Sequence, residues 1–415
     1  MGKQALLMVI GYSLIFLLSG AMMSNSSVDA FRNAMNYYEG NITRDIAISA
    51  ANMGANYIFV NKPLMNSNPW WNGWTTPVSY NGGTFTVTMD SVQDMYGKWG
   101  RIRMIATAHY GDSTYTVTVL YHPSQFSKFC MYAGAMGGTY FEPSDSVFGP
   151  CHIEGTLNYG NPGGGPQTYG AYFGGKVTTK NGIAALTNPA KLPTFAQGRE
   201  DGVSIPLSLN TAQLVTEAGA NKFDGSGGDL YLTLKDDSVS WKRSKTGPVT
   251  TQLLSTIAPN GVIVIDKGTL YLQGELSTRL TVASLRTSGS SGGSVVIKDN
   301  VTYKTDPRID PLCHAMLGVV GYGTISIDTT SAHNNFTVQG SMYSQTDGVQ
   351  VVNYNSRPRG NLYVLGGWIA PKIYATSNGT TAGLPVNVTY DERFRVDAPP
   401  YFPGTNGYEI LAWYE

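Results

Sequence analysis

The sequence predicts a mainly β protein with one long N-terminal α-helix, an α+β class in which an antiparallel β-meander is followed by a β-solenoid-like region. Three observations carry this prediction. An apolar run opens the chain and continues as a helical pattern to about residue 60. Short alternating segments rich in Thr, Val and Tyr then recur to the end of the chain. The 49 Gly and the 13% share of charged residues are typical of β-structure with many tight turns.

The length of 415 residues allows two or three domains. Lys plus Arg number 28, and so do Asp plus Glu, so no net charge attracts nucleic acid and we expect no nucleic-acid partner. The pattern predicts five segments: a helix at 1–60, a β-meander at 61–128, a Gly-rich β region at 129–250, a β-solenoid-like domain at 251–398 and an extended tail strand at 399–415.

The first half of the predicted helix is apolar on all sides. No charged residue occurs from Gln4 to Val28, which is about the length that crosses a bilayer. Lys3 precedes this run and Asp29 is the first charge after it, so we expect the rest of the chain on the outer side. The residues predicted to insert in the membrane and then to pack with other helices are Leu6, Leu7, Val9, Ile10, Gly11, Leu14, Ile15, Phe16, Leu17, Leu18 and Gly20.

The second half of the helix is predicted to be amphipathic. Apolar residues recur every three or four positions, and no proline interrupts them before Pro63. We expect this face to pack on the β-domain of its own chain, whereas the first half needs lipid or sister helices. The predicted face comprises Phe31, Met35, Tyr38, Ile42, Ile46, Met53 and Tyr57.

Three interpretations of the N-terminal segment compete. The short basic start, the apolar core and Ser19-Gly20-Ala21 are also features of a cleaved signal peptide. A simple membrane anchor is the second interpretation, and an assembly helix is the third. The helical pattern continues after residue 21 without a turn or linker, and this favours the assembly helix.

The N-terminal layout resembles type IV pilins, and more narrowly minor pilins and pseudopilins. The run from Gln4 to Ile10 resembles their first mature residues, and Ala47, Ala50, Ala51 and Ala55 fall where those helices carry an alanine-rich, core-facing stretch. The chain differs from them in having no acidic residue before Asp29. The large β-rich remainder, including GPCHIEG and the closing YDERFRVDAPPYFPGTNGYEILAWYE, resembles uncharacterised bacterial envelope proteins.

The resemblance implies a structural subunit of an extracellular, pilus-like filament on the cell surface. Its partners would be further copies of itself in a helical homopolymer, the inner membrane before assembly, and the pilus assembly machinery. Its β-domains would form the outer surface and serve adhesion or surface contact. The alternative is a secreted or membrane-anchored β-helix protein, either a carbohydrate-active enzyme or an adhesin, whose N terminus is a signal peptide or an anchor.

Motifs for catalysis or metal binding are weak, and we expect no enzyme, no cofactor and no metal. Cys151-His152 and Cys313-His314 repeat one dipeptide, but adjacent ligands are not the usual zinc spacing. The cluster Asp306-Pro-Arg308-Ile-Asp310 is flanked by prolines, which is typical of a turn.

Cysteines and sequons provide candidate modification sites. Cys130 and Cys151 could form a disulfide in an oxidising compartment, and three unpaired thiols are the alternative. Candidate glycosylation sites are Asn25, Asn41, Asn300, Asn335, Asn378 and Asn387.

Overall fold

A computed structural model describes residues 2–61, 71–93, 99–163, 167–187, 190–207, 211–289, 291–328 and 335–415. The chain is mainly β with one long N-terminal helix, as the sequence predicts. Two compact units divide it. Unit 1 comprises 1–123 together with the C-terminal residues 406–415, and unit 2 comprises 124–405.

Unit 1 combines the helix with one five-stranded sheet. Helix α1 (Gly2–Val60) runs for 59 residues, about 89 Å at 1.5 Å per residue. The sheet has the strand order β1-β2-β3-β4-β28, so the last strand of the chain lies beside β4. Its strands are β1 (Val78–Tyr80), β2 (Gly83–Gln93), β3 (Trp99–Tyr110), β4 (Ser113–Gln125) and β28 (Gly404–Tyr414).

Two-residue turns join β1 to β2 and β3 to β4. Asn81 (φ +48°) and Gly82 (φ +81°) connect β1 to β2, and their left-handed backbone suits the twist of a hairpin. Gly111 (φ +57°) and Asp112 connect β3 to β4, with Tyr110 paired to Ser113 across the turn. The predicted antiparallel meander is therefore confirmed, because β2 pairs with β3 and β3 with β4 in antiparallel register.

Unit 2 consists of short strands and short helices. Helices α2 (Ala212–Ala218) and α3 (Leu254–Ile257) are accompanied by 3₁₀ turns at Phe126–Lys128, Gly219–Asn221, Gly225–Gly227, Tyr354–Ser356 and Glu392–Arg395. Its strands are β5 (Met131–Ala135), β6 (Ser146–Phe148), β7 (Cys151–Ile153), β8 (Leu157–Tyr159), β9 (Tyr172–Phe173), β10 (Val177–Thr179), β11 (Ile183–Ala185), β12 (Thr194–Phe195), β13 (Arg199–Asp201), β14 (Phe223–Asp224), β15 (Leu230–Asp236), β16 (Ser238–Lys242), β17 (Thr250–Leu253), β18 (Val262–Asp266), β19 (Leu270–Leu276), β20 (Arg279–Leu285), β21 (Val295–Tyr303), β22 (Met316–Gly321), β23 (Ile325–Ile327), β24 (Asn335–Ser344), β25 (Gly348–Val351), β26 (Asn361–Ile373) and β27 (Val386–Thr389).

Most strands of unit 2 pair in parallel, and the order of pairing is not the order of the chain. One ladder runs β14-β18-β20-β22-β24-β26 and then continues into β5-β7-β10-β13. The earliest strands of the unit therefore extend the ladder beyond its latest strands. The pairing also brings buried residues into a column of register partners, namely Val282, Val319, Met342, Trp368, Met131, Cys151 and Val177.

This pairing explains why the units differ from the predicted segments. The segments 129–250 and 251–398 share one unit, because Trp368 and Ile369 of β26 pair with Met131 and Tyr132 of β5. The predicted tail 399–415 divides between the units at residues 405 and 406.

Candidate assembly helix

The N-terminal part of α1 is exposed along its whole surface. Every described residue from Gly2 to Tyr38 is exposed, including Leu6 at 64%, Leu14 at 59% and Phe16 at 76%. By length and composition this helix can cross a membrane. A Cβ added at Gly11 or Gly20 would meet no atom, so these positions are open to a neighbouring helix. In the described part of the chain, no β strand covers the segment predicted for membrane insertion and assembly.

Three residues predicted to pack on the β-domain do not do so. Phe31 is 68% exposed, Met35 42% and Tyr38 56%. The helical periodicity identifies an apolar stripe but not how far the sheet beneath it extends. The exposed apolar surface therefore continues past Asp29 to Tyr38, about ten residues further than the sequence predicts.

The turn between β3 and β4 marks where the sheet ends along the helix. The backbone N–H of Asp112 donates to the Glu39 carboxylate over 3.4 Å, and Glu39 lies against Gly111. No strand in the described part of the chain lies beneath the residues N-terminal to Glu39, so Phe31, Met35 and Tyr38 are exposed.

From residue 39 onward α1 packs on the sheet through small residues. Ala47, Ala50 and Ala51 are fully buried, and a Cβ at Gly54 would lie 2.5 Å from the Met104 sulfur. Small side chains permit this close approach of the helix to the strands. Of the predicted face, Ile46 is fully buried, and Ile42 and Met53 are partly buried against the same core.

Tyr57, the last residue of the predicted face, joins an aromatic cluster. Its ring centroid lies 3.9 Å from that of Trp71, which lies 5.0 Å from Trp74. Trp74 in turn meets Phe85 of β2 at 6.1 Å, edge to face. The cluster fixes the C-terminal end of α1 to the sheet.

The C-terminal strand adds a further tie to α1. Arg44 on the exposed side of the helix forms an ion pair with Glu415, the last residue of the chain. Tyr408 and Trp413 of β28 pack partly buried against the core of unit 1. The C-terminal tail therefore contributes a strand to the sheet of unit 1 in this structure.

The cysteines are separate free thiols. Cys130 and Cys151 are both buried and unbonded, so the disulfide that the sequence allows is not formed. Burial raises the pKa of Cys151 to about 12 and raises that of Cys130 as well, which keeps both thiols protonated and unreactive. Cys313 donates to the Thr305 carbonyl oxygen over 3.0 Å.

Both ring nitrogens of His152, one of the two histidines of the repeated dipeptide, have hydrogen-bond partners. Its Nδ1 lies 2.7 Å from Thr178 Oγ1, and its Nε2 lies 3.0 Å from Glu154 Oε2. Among the described residues no three His, Cys, Asp or Glu side chains are grouped to hold a metal ion. Asp306 and Arg308 pair with each other in an exposed turn.

The sequon asparagines have different surroundings. Asn25 is exposed on α1, and Asn41 is exposed too, but the Thr43 of its sequon is buried with its hydroxyl on the Glu39 carbonyl. The remaining four use the side-chain carbonyl as an acceptor: Asn300 from Thr337 N, Asn335 from Asn361 N, Asn378 from Thr381 N, and Asn387 from Ser146 Oγ.

Comparisons with known proteins give few relatives. No protein-family model matches the chain, and no curated protein matches it. Among solved structures it is similar to the competence-associated pilin ComZ from Thermus thermophilus, at 13% sequence identity and a TM-score of 0.38, over 82% of this chain and 86% of that one. At this level the alignment carries no residue roles from that protein to this chain.

Proposed function

We propose that this chain is a non-enzymatic structural subunit of a filament at the cell surface, assembled from the membrane through α1. The observation that carries the proposal is the exposed apolar length of the helix, which reaches from Gly2 to Tyr38. Exposed apolar surface of this extent requires lipid or another protein surface. Before assembly this apolar surface would contact lipid. In the filament it would contact the same segment of neighbouring subunits, so it would be covered in both states.

The extra exposed residues from Phe31 to Tyr38 support a filament over a simple anchor. The apolar run before Asp29 is already long enough to cross the hydrocarbon core. If α1 served only as a membrane anchor, Phe31 and Tyr37, which are 68% and 75% exposed, would lie in water outside the bilayer. Packing between helices of neighbouring subunits would cover them.

The β units form the outer surface of the proposed filament, where they would make surface contacts. The β-solenoid predicted for 251–398 remains part of this proposal. Parallel pairing across β18 to β26 supports it, and the continuation into β5 to β13 would extend the same coil to residues 131–201.

Replacement of Leu14 by Asp tests the proposal. A carboxylate in the middle of the apolar segment is costly in lipid and between apolar helices, so filaments should be lost from the sheared surface fraction under electron microscopy. Leu14 is exposed, so the thermal unfolding of the β units should not change. Asn52→Asp, an exposed position on the packed half of α1, is the matched control and should keep filaments.

Two outcomes would contradict the proposal. Normal filaments from Leu14→Asp would exclude assembly through this segment. An intact mass showing that exported protein lacks the first twenty or so residues would favour the secreted alternative, because the assembly segment would then be absent from the mature chain.

A further inference from the structure

Unit 2 contains a cavity of about 390 Å³ that no part of the proposed assembly uses. Its inner wall comes from the parallel ladder, through Met131 of β5, Trp368 of β26 and Val386 of β27. Loops at 136–145, 354–355 and 374–378 form the rest. The volume falls within the range of about 300–1,000 Å³ that holds small molecules.

An unpartnered hydrogen-bond donor lies at the inner wall. Trp368 is only 1% exposed, and its indole Nε1–H has no acceptor among the described residues. Buried indole N–H groups are normally paired, and leaving one unpaired costs free energy. A second tryptophan of unit 2 follows the rule, because Trp241 Nε1 donates to Gln252 Oε1 over 3.1 Å. Trp368 is thus a residue that lines the cavity and has an unpaired indole donor, which an acceptor on a bound molecule could satisfy.

Two carboxyl groups, those of Glu142 and Asp145, lie in the loop at 136–145 that also lines the cavity. Glu142 is 6% exposed, and its Oε1 accepts from Ser144 Oγ at 2.9 Å and from Ser377 Oγ at 2.6 Å. Asp145 accepts from the backbone N–H of Glu142 and of Val386. Burial, with the neighbouring charge of Glu142 as a second cause, raises the pKa of Asp145 to about 7. The pair thus lines the cavity with carboxyl oxygens that hydrogen bonds from the protein hold in place.

Aromatic rings complete the lining. Tyr140, Tyr354 and Tyr374 face the cavity from three different loops. Tyr374 is held by its hydroxyl, which donates to Asp347 Oδ1 over 2.5 Å. Aromatic faces beside paired carboxyl groups and a free N–H can contact the C–H face of a ring while its hydroxyls are hydrogen-bonded.

We propose that this cavity is a binding site for a neutral, polyhydroxylated ring, namely one saccharide unit, either free or at the end of a glycan chain. A hydroxyl group can accept from Trp368 Nε1 and donate to Glu142, which fits the mixed set of groups. An organic cation would suit the carboxylates but would leave the indole N–H unpaired. Arg359, which donates to Ser144 beside Glu142, also disfavours a cation.

The test uses the full-length chain in detergent, with saturation-transfer NMR and tryptophan fluorescence titration. The neutral probes are glucose, galactose, mannose and N-acetylglucosamine, together with a trisaccharide of N-acetylglucosamine that represents a chain end. The cationic probes are spermidine and tetramethylammonium. We expect at least one saccharide to bind in the millimolar range or tighter, and neither cation to bind.

Two variants locate the binding. Gly138→Leu places a side chain at the cavity wall where an added Cβ meets no atom, so it should fold normally and abolish binding. Trp368→Phe removes the free N–H and should weaken binding about tenfold or more. Trp241→Phe, which loses an indole outside the cavity, is the matched control and should bind as the wild type does.

Three results would overturn the proposal: no binding of any saccharide, binding of a cation in place of the saccharides, or saccharide binding that Gly138→Leu leaves unchanged. The site does not depend on filament assembly, so Leu14→Asp should bind the same saccharide. A preference for the trisaccharide over the monosaccharides would identify a glycan end, and the reverse would identify a free sugar; either supports the site.

Discussion

Several polar contacts of unit 2 converge on Glu154. It accepts from Ser204, from the backbone N–H of Ile205 and from Lys180, and it pairs with the buried His152. Burial alone would raise its pKa, but these hydrogen bonds lower it to about 2. Burial also lowers the pKa of His152. The cluster holds the segment at 204–205 against β7 and β10.

We expect this cluster to make unit 2 less stable in acid. The lowered pKa of Glu154 gives stability that is complete above its unfolded pKa of about 4.5 and is lost as pH falls toward 2. The lowered pKa of His152 acts in the same direction from about pH 6.5 downward. Glu154→Gln should lower the free energy of unfolding by about 2 kcal/mol at pH 7 and flatten its decline below pH 4.5.

Chemical denaturation at a series of pH values measures this effect. Glu200→Gln is the matched control, because Glu200 pairs with Lys176 while both side chains are more than half exposed. It should change the free energy of unfolding by less than about 1 kcal/mol. If the free energy of unfolding of Glu154→Gln falls in acid as much as that of the wild type, groups other than Glu154 cause the decline.

Asp145 should titrate near neutrality, and its contribution to stability should change with pH in the direction opposite to that of Glu154. Its raised pKa of about 7 means that the folded state holds this proton more tightly than the unfolded chain does. Its contribution to stability therefore grows as pH falls from 7 toward 4. Carbon-13 NMR of labelled aspartate should show a midpoint near pH 7, and Glu142→Gln should lower that midpoint by removing a nearby negative charge. An unshifted midpoint would contradict the coupling.

At the scale of elements, α1 shows what a sequence pattern predicts and what it misses. The periodicity predicted the helix and placed Ile46 correctly at the sheet. It could not locate the end of the sheet at the Gly111 turn, because that depends on strands fifty or more residues further along the chain. Phe31 and Tyr38 were therefore assigned to the packed face although they are exposed.

The close approach of α1 to the sheet should make Ala50 intolerant of larger residues. Ala50 is fully buried, so Ala50→Leu should overpack the interface and lower the free energy of unfolding of unit 1 by about 1–3 kcal/mol. Ala34→Leu makes the same change on the exposed half of α1 and should alter stability by less than about 0.5 kcal/mol. Thermal unfolding followed by circular dichroism compares the two, and equal effects would contradict the packing.

The parallel ladder shows a second limit of prediction. Turn residues and alternation predict short strands in the segment 251–398, and the structure has short strands there. They could not reveal that Met131 pairs with Trp368, since this contact spans more than two hundred residues and has no local signature. The cavity was missed for the same reason, because its wall contains groups from 131 to 386. No motif in the sequence around Glu142 predicts that this carboxyl group is buried.

At the scale of the whole molecule, α1 has two environments. Its N-terminal 37 described residues, 2–38, have no contact with the β units' cores, whereas the remainder is part of the core of unit 1. Replacements in the two parts should therefore have separable effects. Those before Glu39 should alter assembly alone, and those after it should alter folding.

Phe31→Asp and Ile46→Asp make the same kind of change in the two parts. Phe31 is 68% exposed, so its variant should unfold at the wild-type temperature and yet fail to form filaments, because the charge would face neighbouring helices. Ile46 is fully buried, so its variant would bury an unpaired charge. We expect the free energy of unfolding of unit 1 to fall by about 4 kcal/mol or more, which should unfold this unit. Calorimetry and electron microscopy on the same preparations separate the two effects. If Phe31→Asp lowers the unfolding temperature, Phe31 packs on its own sheet after all. If this variant forms normal filaments, the assembly surface includes only residues before Asp29.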